Sequence, residues 1–213
     1  MIYLKAGLYA EGPNDYRFLS PVITRLLQEI AVTVLPSLPE IADTEGIDAP
    51  GSGSLNRAER IAAAVHDYWD TCTIFVIHGD ANGDPVRALA ERVQPGIDRT
   101  LEQHPEAAIV PCIPVRAVES WMLCDGEVFK KLLGGSQEPD LPAKPETLSD
   151  PKTVVNTILG DLGANLRSLR SYQAFFGANV DLRQLRRLSS FCIFEQALSE
   201  AVSVSDAIWR LGG

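Results

Sequence analysis

The chain of 213 residues lacks any apolar run long enough to cross a membrane. A membrane-spanning helix needs about 20 consecutive apolar residues. The amino terminus, from Met1 to Lys5, has neither the basic segment nor the small-residue cleavage site of a secretion signal. These absences predict a cytoplasmic protein that has no membrane partner.

Paired cysteines and positive charge are also lacking. The four cysteines, Cys72, Cys112, Cys124 and Cys192, form no CxxC pair, which argues against a zinc ribbon and against a disulfide framework. We therefore expect buried thiols. The formal net charge is -9, and affinity for phosphates depends on Lys and Arg, so indiscriminate nucleic-acid binding is disfavoured. Glycine patterns of the Walker or Rossmann type are absent as well.

The negative charge is concentrated in the first part of the chain. Residues 1–125 contain nine Lys and Arg against 18 Asp and Glu, whereas residues 126–213 contain ten of each kind. Such an excess is either a solvated acidic surface or a carboxylate cluster that holds a divalent cation. The charge alone does not distinguish the solvated surface from the cation site.

Apolar and amphipathic segments alternate along the first part of the chain. The predicted strands cover residues 2–10, 31–38, 71–77 and 107–112, and the predicted helices cover about 16–30, 56–70, 85–103 and 117–133. This alternation predicts βαβ units and a three-layer α/β fold with a mainly parallel, Rossmann-like sheet. The hydrophobic fraction of 46% is sufficient for a large core.

The domain organisation follows from the same pattern. We expect an α/β domain over residues 1–133, with a polar loop at 41–55, and then an irregular, proline-rich connection over 134–150. Asp150 and Pro151 are a typical helix start, and residues 151–213 are predicted to be a C-terminal helical extension packed on the first domain.

Acidic residues follow three of the predicted strands. Glu11 follows the first strand, Asp80 follows the strand at 71–77, and Glu119 comes shortly after the strand at 107–112. Ligands of parallel α/β sheets bind beyond the carboxyl ends of the strands, and Mg²⁺ prefers carboxylate oxygens. The pattern predicts a cation site. The alternative is structural: residues 80–84 form a turn that caps the next helix, and Glu119 stabilises a helix amino terminus.

Four sequence segments resemble a known family. Residues 11–19, EGPNDYRFL, resemble the EGxxDxxFL opening of TOPRIM domains, which occur in topoisomerases, primases, recombination proteins and nucleases. Residues 78–83, HGDANG, resemble the HxDADG motif of domain-of-unknown-function family 4276. Residues 115–125, VRAVESWMLCD, and 150–152, DPK, resemble two further segments of that family. The four segments occur in the family's order and span most of the chain.

The resemblance implies a TOPRIM fold and a magnesium or manganese site. By this resemblance Glu11 is the general acid or base or a metal ligand, and Asp80 is the first metal-binding aspartate. Glu119, which follows the third strand, completes the predicted catalytic set as a third ligand or as a residue that orients one. Asn82 occupies the position of the family's second aspartate, so the metal site is expected to be weaker. Asp84, two residues further along the chain, would supply the negative charge that is missing at Asn82. The implied metal set is therefore Glu11, Asp80, Asn82 and Asp84.

Other residues are assigned supporting and binding roles. Asp15 and His78 are expected to support the catalytic carboxylates. Five arginines between residues 160 and 190 face only two aspartates, which makes that region the candidate contact surface for nucleic acid. Together with two basic residues near the acidic motifs, the predicted nucleic-acid-binding set is Arg116, Lys152, Arg167, Arg170, Arg183, Arg186 and Arg187.

The resemblance favours a Mg²⁺-dependent nuclease that acts on phosphodiester bonds of DNA or RNA, as an effector of a bacterial anti-phage defence system. The alternative, suggested by Asn82, is a catalytically degenerate TOPRIM module that serves as a regulatory or binding subunit of an ATPase-containing complex. Nucleotidyl transfer would use the same site, and self-association into a homo-oligomer stays open. The chain is too short for the strand-passage domains of a topoisomerase.

Overall fold

The computed structural model describes residues 3–37, 39–48, 53–135, 137–163 and 172–211, with residues 204–211 described by their backbone alone. Two parallel sheets are present in these residues. The strands are β1 (Tyr3–Leu4), β2 (Ala6–Tyr9), β3 (Glu40–Ile41), β4 (Glu45–Gly46), β5 (Ile74–His78) and β6 (Ile109–Cys112). The main sheet has the order β4-β2-β5-β6, and β1 pairs with β3. The predicted α/β fold with a parallel sheet is confirmed.

Ten α-helices are described in the same residues. They are α1 (Pro13–Val34), α2 (Arg57–Asp67), α3 (Pro85–Ala88), α4 (Gln94–Gln103), α5 (Glu119–Met122), α6 (Gly126–Leu133), α7 (Pro151–Asp161), α8 (Tyr172–Asn179), α9 (Leu182–Leu185) and α10 (Ser189–Leu211). A π-helical turn, Leu89–Val93, joins α3 to α4, and Pro145–Thr147 form a 3₁₀ turn. None of the helices in the described ranges has both the length and the apolar character needed to cross a bilayer.

Strand β5 lies inside the main sheet and is buried along its whole length. Alternate side chains of a strand point to opposite faces. Ile74 and Val76 accordingly belong to the core formed with α1 and the C-terminal helices, whereas Phe75 and Ile77 belong to the core formed with α2 and α4. The continuous apolar run predicted this strand because both faces of the sheet are covered by helices.

The predicted strand at residues 31–38 is wrong, because α1 continues to Val34. Ala31 is buried while Val32 is 67% exposed, as expected for a helix that presents one face to the core. Leu35 is the C-cap of the helix, and the next residue, Pro36, has no N–H to continue the hydrogen-bond ladder. The β-branched residues near the end of the helix produced the strand-like pattern.

Two other segments differ from their predictions. The predicted loop at 41–55 contains Ile41 of β3 and both residues of β4. The Tyr16 hydroxyl group donates to the Ile47 carbonyl oxygen at 2.9 Å, which ties this segment to α1.

The predicted helix at 117–133 is interrupted after Met122. Asp125 starts the second part, since its Oδ1 accepts a hydrogen bond from the Glu127 N–H at 3.1 Å.

The C-terminal helices share the larger core with the sheet. Helix α8 packs on α1, and α10 packs on α1 and on β6. Phe176, Phe191 and Phe194 from these helices lie in the same cluster of buried residues as Ile74 and Val76 of β5. The expectation of buried thiols is correct for Cys72 and Cys112 but wrong for Cys192, which is exposed.

Candidate active site

The turn after β2 positions the first two acidic residues. Gly12 is the N-cap of α1 and Pro13 is its first residue, so the chain turns sharply at Glu11. The Asp15 carboxylate accepts a hydrogen bond from the Gly12 N–H at 2.9 Å. Glu11 and Asp15 are therefore held at the carboxyl end of β2, on either side of the helix start.

His78 connects the end of β5 to both Asp15 and Asp80. Its side chain is fully buried, and its Nδ1 lies 3.0 Å from the Cys112 carbonyl oxygen. Its Nε2 lies 3.4 Å from Asp80 Oδ1 and 4.0 Å from Asp15 Oδ2. Burial lowers the pKa of His78, but the neighbouring Asp80 carboxylate and the Cys112 side chain outweigh burial and raise the pKa to about 10. The His78 imidazole thus lies between the carboxylates of Asp15 and Asp80.

Glu119 is the first residue of α5 and is only 6% exposed. Burial raises the pKa of its carboxyl group, the negative charges of Asp80 and Asp15 raise it further, and Lys152 opposes them. Burial and the Asp80 charge likewise raise the pKa of Asp15, while His78 lowers it. Carboxylates affect one another in this way only when they lie close together, so the three acids form one electrostatic cluster.

The acidic side chains line a single cavity of about 290 Å³ at the carboxyl edge of the main sheet. Its lining comprises Glu11, Gly12, Pro13, Asn14, Asp15, Asp80, Ala117, Glu119 and Lys152. Lys152, the second residue of α7, is the one basic residue among them. Each of the four sequence segments that carry the family resemblance contributes to this lining. The structure thus brings together Glu11, Asp80 and Glu119, which are separated by up to 108 positions in the sequence.

Asn82 and Asp84 lie outside the lining of the cavity. Asn82 adopts a left-handed backbone conformation, with φ of 51°, which asparagine tolerates better than most residues. The Asp84 carboxylate accepts a hydrogen bond from the Arg87 N–H at 3.0 Å and so caps α3. Residues 80–84 therefore form the turn and helix cap of the structural alternative, while Asp80 faces the acidic cluster.

Arg116 packs beneath this turn. Its Nη1 donates to the Asn82 carbonyl oxygen at 3.0 Å, and a Cβ atom on Gly83 would lie 2.6 Å from the Arg116 Cζ. Gly83 has φ of +98° and leaves the space that the guanidinium group occupies. Arg116 thus stabilises the turn after β5.

Two arginines that sequence reasoning missed bind Glu11. Arg57 Nη1 lies 3.2 Å and Arg92 Nη2 lies 2.5 Å from Glu11 Oε1. Arg57 is the first residue of α2, and Arg92 belongs to the π-helical turn, a feature that is frequent at functional sites. Neither residue belongs to a sequence motif. The spacing of apolar residues does not predict the π-helical turn that brings Arg92 next to Glu11.

The predicted basic surface is divided. Arg167 and Arg170 lie outside the described residues. Arg183 forms an ion pair with Asp181, and Arg186 lies between Glu29 and Glu195, 2.7 Å from an oxygen of each. Arg187 Nη1 donates to Gln184 Oε1 at 2.9 Å. None of these three side chains lines the acidic cavity.

The donor set of the cavity consists of hard carboxylate oxygens, which suit Mg²⁺ or Mn²⁺. Burial and, to a smaller extent, the neighbouring carboxylates raise the pKa values of Asp15 and Glu119, and a divalent cation would offset the second of these effects. Within the described ranges, no three His, Cys, Asp or Glu side chains are already grouped as a set of metal ligands. Mg²⁺ commonly takes only one or two protein carboxylates and completes its octahedron with water and substrate oxygens. The residues therefore fit a hydrated cation.

Together the fold and the site define an α/β protein with a parallel sheet and an acidic cavity at the carboxyl edge of that sheet. Comparisons of the chain with protein families, curated proteins and solved structures found no match.

Proposed function

We propose that the protein is a TOPRIM-like nuclease that hydrolyses phosphodiester bonds of DNA or RNA with the help of Mg²⁺ or Mn²⁺. The observation that carries the proposal is the convergence of Glu11, Asp15, Asp80 and Glu119 in one cavity with Lys152. The four segments that resemble the family all supply residues to this cavity, which supports the same assignment. The resemblance further implies a role as an effector of bacterial anti-phage defence.

Each side chain of the cavity has a distinct task in this proposal. Asp80 and Glu119, with Asp15 close by, would hold the cation, which would supply a Lewis acid for the phosphoryl oxygen and lower the pKa of a bound water. Lys152 provides the positive charge that a phosphate group requires. Glu11, at the edge of the cluster, is the candidate to accept a proton from the attacking water. His78 positions Asp80 from beneath.

The test is cleavage of labelled single-stranded DNA, double-stranded DNA and RNA in the presence of Mg²⁺ or Mn²⁺. We expect Asp80→Asn and Glu119→Gln to lower the cleavage rate by about 100-fold or more, because each removes a charge that the cation needs. Glu102→Gln is the matched control, since Glu102 is exposed on α4. Cleavage that survives Asp80→Asn at the rate of the Glu102→Gln control would refute the assignment.

A second candidate function has its own support. Asn82 replaces an acidic residue of the family motif, and Glu11 is neutralised by two arginines. Both features suit a catalytically degenerate TOPRIM module that acts as a binding or regulatory subunit of an ATPase-containing complex. Titration calorimetry with Mn²⁺ and Mg²⁺ separates the candidates. The nuclease requires binding of the cation at millimolar concentrations, whereas the absence of binding at those concentrations favours the regulatory module.

A further inference from the structure

Two guanidinium groups share one carboxylate oxygen beside the cavity. Arg57 and Arg92 both contact Oε1 of Glu11, at 3.2 and 2.5 Å. An arginine pairs best with a carboxylate or phosphate when two N–H groups meet two oxygens. Neither arginine achieves that geometry at a shared oxygen. The three side chains also carry one unbalanced positive charge, so a larger and more highly charged anion would satisfy them better.

The two arginines are held in place without Glu11. Arg57 Nη2 donates to the His78 carbonyl oxygen and its Nε donates to the Arg92 carbonyl oxygen, both at 2.8 Å. Arg92 Nη1 donates to the Asp80 carbonyl oxygen at 2.8 Å. These bonds anchor both guanidinium groups to the main chain, two of them at the end of β5. Departure of the Glu11 carboxylate would therefore leave a preformed pair of cations.

Gly79 lies beside this arrangement, whose side chains are partly exposed to solvent. A Cβ atom at this position would lie 3.1 Å from Val93 Cγ2, 3.4 Å from Arg57 Nη2 and 3.8 Å from Glu11 Oε1. Only the contact with Val93 would be tight, whereas Arg57 and Glu11 lie at ordinary van der Waals distances from this position. The side chains of Arg57, Arg92 and Glu11 are 22%, 34% and 28% exposed, so an anion in solution has access to them.

We propose that Arg57 and Arg92 form a phosphate-binding subsite that Glu11 fills in the absence of substrate, and that a backbone phosphate of the nucleic acid displaces the Glu11 carboxylate. This inference rests on the proposed function, because it places the phosphate beside the cavity that would carry the cation. The displaced carboxylate stays at the cavity, of which Glu11 is a lining residue. Glu11 thereby acts as an internal competitor of the substrate.

The test is the affinity of the full chain for a short fluorescent single-stranded oligonucleotide, measured by anisotropy in EDTA so that no cleavage occurs. We expect Glu11→Gln to tighten binding by about 5-fold or more, since it removes the competitor, and Arg57→Gln and Arg92→Gln to weaken it by about 10-fold each. Inorganic phosphate should compete with the oligonucleotide for the same subsite.

The chain offers matched controls in an exposed ion pair close to Arg92. Arg87 Nε lies 2.9 Å from Glu91 Oε2, and both side chains are more than half exposed. Glu91→Gln and Arg87→Gln make the same changes in net charge as the test variants. The inference is overturned if Glu11→Gln alters the affinity no more than Glu91→Gln does, or if Arg57→Gln and Arg92→Gln match Arg87→Gln.

A measurement on the unmodified chain covers the case in which a variant fails to fold. In NMR spectra, the Nε–H signals of Arg57 and Arg92 should shift when inorganic phosphate or the oligonucleotide is added. Unchanged signals at saturation would contradict the subsite. The proposed function is tested separately: a chain that cleaves nothing but gains affinity through Glu11→Gln retains the subsite and loses the nuclease assignment. A chain that cleaves nucleic acid but gains no affinity through Glu11→Gln retains the nuclease assignment and loses the subsite.

Discussion

The Glu146 carboxylate is bound to Ser190 through both the main chain and the side chain of the serine. Glu146 Oε1 accepts a hydrogen bond from the Ser190 N–H at 3.0 Å and from the Ser190 hydroxyl group at 2.5 Å. Glu146 Oε2 binds the N–H and hydroxyl groups of Ser189 in the same way. The Ser190 Oγ also accepts from Trp121 Nε1 at 2.8 Å. A residue of the irregular connection thus caps α10 and is linked through Ser190 to the buried Trp121.

We predict that Glu146→Ala lowers the free energy of unfolding by about 2 kcal/mol, because it leaves two N–H groups and two hydroxyl groups of a helix start without their charged acceptor. Urea denaturation at neutral pH measures this loss. Glu102→Ala, on the exposed face of α4, is the control and should change stability by less than about 0.5 kcal/mol. A loss for Glu146→Ala within the range of the control would contradict the capping role.

The same carboxylate should make stability depend on pH. Burial raises the pKa of Glu146, but the hydrogen bonds from Ser190 and Ser189 outweigh burial and lower the pKa below its usual value. A carboxyl group whose pKa is lower in the folded state stabilises the protein above its unfolded pKa, and this contribution is lost as the pH falls through the folded pKa. The stability difference between the natural chain and Glu146→Gln should therefore be constant near pH 7 and shrink below about pH 4.5. A difference that grows on acidification would refute this cause.

Gly177 is predicted to be intolerant of any side chain. A Cβ atom there would lie 2.2 Å from the Phe18 carbonyl oxygen and 2.6 Å from Pro21 Cγ, at the contact between α8 and α1. We expect Gly177→Ala to destabilise the fold by about 2 kcal/mol, since the two helices must move apart. Gly160→Ala in α7 is the matched control, because nothing lies within 4 Å of its Cβ position. That substitution should stabilise the chain by about 0.5 kcal/mol. Thermal unfolding of both variants checks the opposite signs.

We predict that the left-handed backbone conformation at position 82 determines which residues are tolerated there. Its φ of 51° strains β-branched residues and suits glycine. We expect Asn82→Gly to change the free energy of unfolding by less than about 0.5 kcal/mol and Asn82→Val to reduce it by about 1–2 kcal/mol. Chemical denaturation of the two variants is the measurement. Equal stabilities would show that the turn tolerates a β-branched residue without strain.

Divalent cations should stabilise the folded chain through the acidic cavity. At a concentration of about ten times Kd, a cation that binds only the folded state adds about 1.4 kcal/mol, which corresponds to roughly 3–5 °C in Tm for a chain of this size. We expect this rise with Mn²⁺ and its reversal by EDTA. Asp80→Asn should abolish the rise, whereas Glu102→Gln should retain it. An equal rise in Asp80→Asn would place the cation elsewhere.

Part of the fold was predictable because local sequence and tertiary context agree. The apolar segment of β5 is buried on both faces only when it lies between two helical layers. Asp150 caps α7, as the sequence predicts, and its Oδ1 lies 3.0 Å from the Thr153 N–H. The break before α6 was not predictable, because the apolar spacing continues across it. Asp125 stabilises that break by binding both the Glu127 N–H and the Asp181 N–H, the latter 56 positions away in the chain.

The acidic side of the candidate site could be inferred from the sequence alone. Glu11, Asp80 and Glu119 follow parallel strands, whose carboxyl ends must meet at one edge of the sheet. The absence of long apolar runs likewise agreed with the described helices. These features depend on strand direction and hydrophobic pattern, which are properties of short segments.

The basic side of the site was decided only by the tertiary structure. Arg57 and Arg92 reach Glu11 because α2 and the π-helical turn pack on the same face of the sheet. The deficit of positive charge in the first part of the sequence therefore does not describe the site, where arginines compensate Glu11 directly. Ion pairs between distant residues depend on the packing of whole elements, and no local spacing in the sequence records that packing.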